Sequence, residues 1–282
     1  MPRTYRFMIV DVFTETALSG NQLAVFSNAT GMPEATMQAL AQEIGFSETT
    51  FVLPPEVGGD VRMRIFTPAR ELPFAGHPTL GTAFALAGPL QSVLIRIETA
   101  AGIIPVALER EGAKVVFGRM EQPLPSVAPF AAAGQLLEAL GVERSVLPVE
   151  VYDNGVQHVF VAVETFAEVA AARPDLQALE SVLGETGVSV FALDGQRAKT
   201  RVFFPEIGMV EDAATGSAAG PLAVHLARHE ALAWGQALTI SQGEEIGRPS
   251  TLYAWAHGSA AGVERVEVGG SALVVGRGEF LV

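Results

Sequence analysis

The chain has 282 residues, 49% of them hydrophobic and 17% charged, with a formal net charge of −13. These figures describe a compact globular protein with room for two domains and exclude a disordered chain. No Lys/Arg-rich run offers the basic surface that nucleic acid or an anionic membrane requires. The absence of cysteine excludes disulfides, thiolate metal sites and cysteine nucleophiles, and it fits a reducing cytoplasm.

The N-terminus runs into an alternating strand with no signal-peptide core. No run of about 18 apolar residues is present to span a bilayer, so a cytoplasmic protein is expected. Strands are expected at Tyr5–Phe13, Leu23–Phe26, Thr49–Leu53, Val61–Phe66, Leu94–Glu98, Ile103–Glu109 and Lys114–Phe117, which are rich in β-branched and aromatic residues and bounded by Gly and Pro. A helix is expected from Pro33 to Ile44, with Met37, Leu40, Ala41 and Ile44 on one face and Gly45 past its end. A second begins near Pro78, repeats the spacing at Leu80, Ala83, Phe84 and Ala87, and is stopped by Gly88-Pro89. The Pro-rich segment from Gln122 to Pro129 has linker chemistry and divides the chain into halves at 1–122 and 123–282.

The second half repeats the style. Strands are expected at Val156–Val163, Val188–Ala192, Thr200–Phe204, Leu238–Ser241 and Thr251–Ala256, and in a final stretch from Val263 to Val282. Turns are read at Gly269-Gly270 and at Gly276-Arg277-Gly278, and the last strand could pack back on the first half. Ala219, Leu222, Ala223 and Leu226 mark a clear helix, with weaker helical patterns at Gly134–Leu140 and Pro174–Leu183. The fold class is α+β.

The halves share a concealed order. Arg64-Ile65-Phe66-Thr67-Pro68 precedes Gly76-His77 and a helix; Arg201-Val202-Phe203-Phe204-Pro205 precedes Gly216-Ser217 and another. Glu71 and Glu211 each stand five residues before their glycine. An internal repeat would set two glycine-led helix starts across a cleft, where unsatisfied N–H groups hold a carboxylate or oxyanion without Lys or Arg.

His77, Asp212 and Ser217 fall at these starts, where a polar residue could equally serve as a helix cap or compensate the dipole. Glu48 lies between Phe46 and Phe51, and burial against aromatics would suit it to general acid/base work, although an exposed turn is the fate of most glutamates. His225 and His229 have i, i+4 spacing, but without a third ligand they read as surface or capping residues, and no metal or organic cofactor is expected. No Walker loop, dinucleotide fingerprint, H-E-x-x-H or nucleophile elbow is found.

At these residues the sequence resembles the PhzF family, the phenazine-biosynthesis-like proteins of the diaminopimelate epimerase-like fold. The matching segments are Asp11–Thr14, Ser19-Gly20-Asn21, Ser47-Glu48-Thr49, Leu72–Gly81, Glu211-Asp212 with Ala214–Ala218, Gln242-Gly243 and Gly247–Ser250. Gln22 and Ala213 stand where the family commonly has Pro. The resemblance implies two similar domains, each a curved, barrel-like, mostly antiparallel sheet around a central helix, and a homodimer. It also implies a cofactor-independent, proton-shifting isomerase acting on a small, cyclic, anionic amino-acid-like metabolite. Glu48 would be the proton shuttle; His77, Asp212 and Ser217 would position substrate or assist; Asn21, Gly76 and Gly216 would bind it. Related epimerases use two cysteines beside these helix starts, a chemistry this chain lacks. The alternatives are amino-acid epimerisation with other bases, or a non-catalytic metabolite-binding protein on the same scaffold.

Overall fold

The computed structural model describes residues 3–205 and 209–282. It divides into two compact units: one runs to Glu121 and takes back Gly269–Val282, and the other is Gln122–Val268. No helix among the described residues is long and apolar enough to cross a membrane.

The first unit holds β1 (Thr4–Val12), β2 (Asn21–Phe26), α1 (Glu34–Ile44), β3 (Glu48–Leu53), β4 (Val61–Phe66), β5 (Glu71–Leu72), α2 (Gly76–Leu90), β6 (Leu94–Thr99), β7 (Gly102–Glu111) and β8 (Lys114–Gln122). Strand β1 pairs antiparallel with β2, β2 parallel with β3, β3 antiparallel with β4, and β4 parallel with β6. Antiparallel β7 and β8 follow, and short β5 lies against the end of β4. Helix α2 touches β1, β2, β3, β6 and β7, so the sheet curls around it. Every residue of α2 from Gly76 to Ala87 is buried, as expected for a helix that is apolar on all sides. On the other face, α1 closes a second core of Phe26, Met37, Leu40, Phe51 and Phe66.

The second unit holds β9 (Ser126–Pro129), α3 (Ala133–Leu140), β10 (Glu150–Asp153), β11 (Gln157–Ala162), α4 (Phe166–Ala171), α5 (Leu176–Leu183), β12 (Gly187–Asp194), β13 (Arg197–Phe204), β14 (Met209–Asp212), α6 (Gly216–Arg228), β15 (Leu238–Gln242), β16 (Ser250–Ser259) and β17 (Gly262–Gly270). Its pairings repeat those of the first: β10–β11 antiparallel, β11–β12 parallel, β12–β13 antiparallel, β13–β15 parallel and β15–β16 antiparallel, with β14 beside β13. Helix α6 is buried from Gly216 to Ala227, and the helices α3, α4 and α5 cover the outer face. The last strand, β18 (Ala272–Leu281), lies antiparallel to β1, as β9 lies antiparallel to β10. Within their own units, the two strands take the same place.

Several expectations are corrected. Helix α2 starts two residues before Pro78 and continues through Gly88-Pro89 to Leu90; Gln91, at φ 48°, ends it by returning its N–H to Ala87. The supposed linker contains β9, whose partner β10 is remote in sequence and so leaves no local signal. Gly276-Arg277-Gly278 is not a turn. It stays in β18 opposite Ile9 and Phe7, and a Cβ on Gly278 would lie 2.7 Å from the Phe7 ring. The glycines make room for side chains on the neighbouring strand.

Candidate active site

Glu48 opens β3, and strand alternation fixes its surroundings. On its face, Thr50 bonds Thr82 of α2 at 2.8 Å (Oγ1 to Oγ1), so this face meets the central helix. Phe51 points the other way and stacks on Phe26 at 4.8 Å. The burial of Glu48 therefore comes from α2 and not from Phe51, which corrects the aromatic reading. The Glu48 side chain is 11% exposed, and its Oε2 lies 3.3 Å from His77 Nε2.

His77 is the second residue of α2. The N-cap is Ala75, with no side-chain cap, so His77 is no cap either. Its Nδ1 lies 3.3 Å from Asn21 Nδ2, and Ser47 Oγ donates to Asn21 Oδ1 at 3.3 Å. Burial pushes the imidazole down to about 3, and the Gln22 carbonyl draws it back only in part. His77 is thus neutral near pH 7 and can donate or accept at the nitrogen facing Glu48. Asn21, Glu48, Gly76 and His77 are brought together.

In the second unit, Gly216 and Ser217 begin α6 with Thr215 as N-cap, again without a side-chain cap, so Ser217 does not cap the helix. Asp212 Oδ2 accepts from Thr215 Oγ1 at 2.6 Å. Gln242 Nε2 donates to the Asp212 carbonyl and to Thr215 Oγ1, both at 2.9 Å, fixing the loop before the helix. Ser217 Oγ lies 3.0 Å from Nε2 of His158, and Asn154 Nδ2 donates to the Ser217 carbonyl at 3.0 Å. His158 and Asn154 were missed from sequence; the available signal was one histidine within the apolar run of β11.

The same device leads into both helices. Arg64 grips Glu71 with Nε and Nη2 at 2.7 and 2.5 Å, and Arg201 grips Glu211 likewise at 3.0 and 2.7 Å. Each guanidinium also lies 5.1 Å from the ring of the phenylalanine two residues on, Phe66 or Phe203. The Arg-x-Phe repeat is a clamp on the loop that delivers the glycine turn.

His225 is fully buried and not on the surface, and the third side chain missing from its sequence reading is Glu150. Glu150 Oε2 accepts from Tyr152 Oη at 2.9 Å and lies 2.9 Å from His229 Nε2, 3.3 Å from His225 Nδ1 and 3.3 Å from Arg228 Nη1. A guanidinium beside the carboxylate opposes a cation there. The other His225 nitrogen has no hydrogen bond, whereas metal-ligating histidines normally make one. The cluster reads as an ion network tying β10 to the end of α6.

A duplicated α+β frame with a buried helix in each curled sheet is the diaminopimelate epimerase-like fold. A solved structure from Agrobacterium radiobacter, described as a "probable proline racemase", shares it at 12% identity with a TM-score of 0.72, covering 97% of this chain and 92% of its own. The chain belongs to the phenazine biosynthesis-like (PhzF) family, whose model matches residues 10–278. A PhzF-family protein from Bacillus anthracis superposes with a TM-score of 0.88 at 28% identity, covering 99% of this chain and 100% of that one. The trans-2,3-dihydro-3-hydroxyanthranilate isomerase of Pseudomonas fluorescens is 46% identical across 99% of this chain and 100% of its own length. That of Pseudomonas aeruginosa is 47% identical across 97% and 98%. The protein is an isomerase.

Proposed function

We propose that the chain shifts a proton on a small cyclic amino-acid-like carboxylate of the trans-2,3-dihydro-3-hydroxyanthranilate type, without a cofactor. The observation that carries this reading is the buried contact between Glu48 and neutral His77 at an uncapped helix start. Glu48 removes a proton from a carbon beside the conjugated system and returns it to another. His77 exchanges a hydrogen bond with the carboxyl as its charge changes, and Asn21 holds the ring. A glycine-led helix start, at Gly76 or at Gly216, offers backbone N–H groups suited to the carboxylate, and Asp212 and Ser217 are suited to polar substituents of a substrate. The near-full-length identity to two isomerases of that name supports the substrate class.

The test is incubation of trans-2,3-dihydro-3-hydroxyanthranilate with the enzyme in D₂O. Deuterium at a new ring carbon, with loss of the original C–H, supports the proposal. Exchange at one carbon with inversion would identify an epimerase instead, and tight binding with no exchange a binding protein. The homodimer implied by the family resemblance and the cytoplasmic location expected from the sequence are part of this proposal; sedimentation analysis checks the first and cell fractionation the second.

A further inference from the structure

The two units place different residues at the same register positions. The β2–β3 pairing opens on Leu23 opposite Glu48, and the β11–β12 pairing opens on His158 opposite Gly187. His158 therefore occupies the place of a core leucine. Leu23 is fully buried and apolar, so the frame itself demands no polar group there. His158 is equally buried, with its ring edge-on to Phe204 at 5.4 Å, and its Nε2 meets Ser217 Oγ at 3.0 Å.

The direction of that hydrogen bond follows from the other ring nitrogen. Burial holds the imidazole neutral, pushed down to about 3, so it carries one N–H. Nδ1 is buried and has no partner. A proton there would strand a donor in the core, whereas an idle lone pair is the lesser penalty. The proton belongs on Nε2, which donates to Ser217 Oγ.

We propose that His158 is a positioning residue that holds Ser217 as a hydroxyl donor toward the substrate, not as an activated nucleophile. With Oγ accepting from His158, the serine's own proton is free for a substrate oxygen. A base in the manner of a Ser-His pair would instead accept the serine proton. Asn154 fixes the serine backbone from the other side. This inference rests on the reading of Ser217 as a substrate-positioning residue.

Two measurements decide it. In the first, ¹⁵N-histidine NMR of the intact protein reads the tautomer of His158: Nε2–H is expected, and Nδ1–H would overturn the donor assignment whatever the substrate. In the second, His158→Leu, which installs the residue of the sister position, is expected to lower kcat/KM about tenfold, the size of one hydrogen bond, mainly through KM. His158→Gln, with an amide donor, should recover most of the loss. Adding His158→Leu to Ser217→Ala should cost nothing more, because the two act as a unit. A further tenfold loss in the double variant would mean a packing role and sink the proposal. Full turnover by Ser217→Ala would remove the serine from the reaction and with it the premise, while the tautomer would still report the polarity of the pair.

Discussion

Where β3 of the first unit begins with Glu48, β12 of the second begins with Gly187. Where β5 carries Leu72 opposite Ile65, β14 carries Asp212 opposite Val202. Leu23 faces His158 in this comparison, and His77 faces Ser217. The frame is repeated strand for strand, down to the Arg–Glu clamp, but the polar groups are dealt out differently. Gly187 shows how firmly: a Cβ there would lie 2.4 Å from the Phe204 ring, so the second unit has no room for a counterpart of Glu48. Duplication supplies two similar helix starts, and the chemistry comes from how their surroundings diverge. Two equal bases suit inversion at one carbon; one carboxylate with unlike partners suits moving a proton between different atoms.

The largest expected effect tests that asymmetry. Because Glu48 has no counterpart, Glu48→Gln should lower kcat by roughly 10²–10⁴, with an unchanged melting temperature. Wild-type turnover in that variant would refute the proposed proton shuttle.

Next come the clamps, alike in geometry but not in burial. Arg201 and Glu211 are 9% and 5% exposed, whereas Arg64 and Glu71 are 22% and 37% exposed. Arg201 also donates to the Ala172 carbonyl at 2.8 Å. Arg201→Met leaves Glu211 buried and uncompensated and should cost about 3–5 kcal/mol. Arg64→Met should cost no more than about 1 kcal/mol. Urea denaturation of both variants checks the difference, and equal losses would contradict it.

Acid should separate the units by a smaller margin. Burial holds His77 and His158 down to about 3 and His225 down to about 4, all below the ordinary histidine value. The unfolded chain therefore binds more protons than the folded one below about pH 6.5. The contribution is complete above that value and is lost as pH falls toward the folded values, by up to about 1.4 kcal/mol per pH unit for each ring. Two of the three rings lie in the second unit, so hydrogen exchange at about pH 5 should rise there first. Earlier opening of the first unit would count against the assignment.

How far the sequence revealed this depends on the distance over which each signal acts. The Arg-x-Phe clamp and the glycine turn are local, so the repeat could be read from adjacent residues. The weight placed on Phe51 failed because side chains three apart on a strand face opposite ways, a rule that needs the strand's start at Glu48. Gly187 and His158 could not be paired with Glu48 and Leu23 from sequence, since their equivalence exists only in the register of parallel strands separated by intervening helices. Strand β9 was obscured because its antiparallel partner β10 lies beyond a helix in sequence.

The smallest effect concerns one hydroxyl. In the first unit, Thr50 on β3 and Thr82 on α2 satisfy each other at 2.8 Å. The corresponding places in the second are Ser189 on β12 and Leu222 on α6, six residues after the helix glycine as Thr82 is after Gly76. Ser189 is 1% exposed, its Oγ has no hydrogen-bond partner, and the adjoining cavity, about 10 Å³, is at the lower limit for a water. A buried hydroxyl without a partner keeps its desolvation cost and gains nothing in return. Ser189→Ala should therefore leave stability unchanged or raise it by up to about 1 kcal/mol, while Thr50→Ala, which orphans Thr82, should lower it by about 1–3 kcal/mol. Chemical denaturation of the two variants gives the comparison directly. A clear loss from Ser189→Ala would mean that its hydroxyl is satisfied after all and that the second unit has kept the strand-to-helix tie which Leu222 otherwise removes.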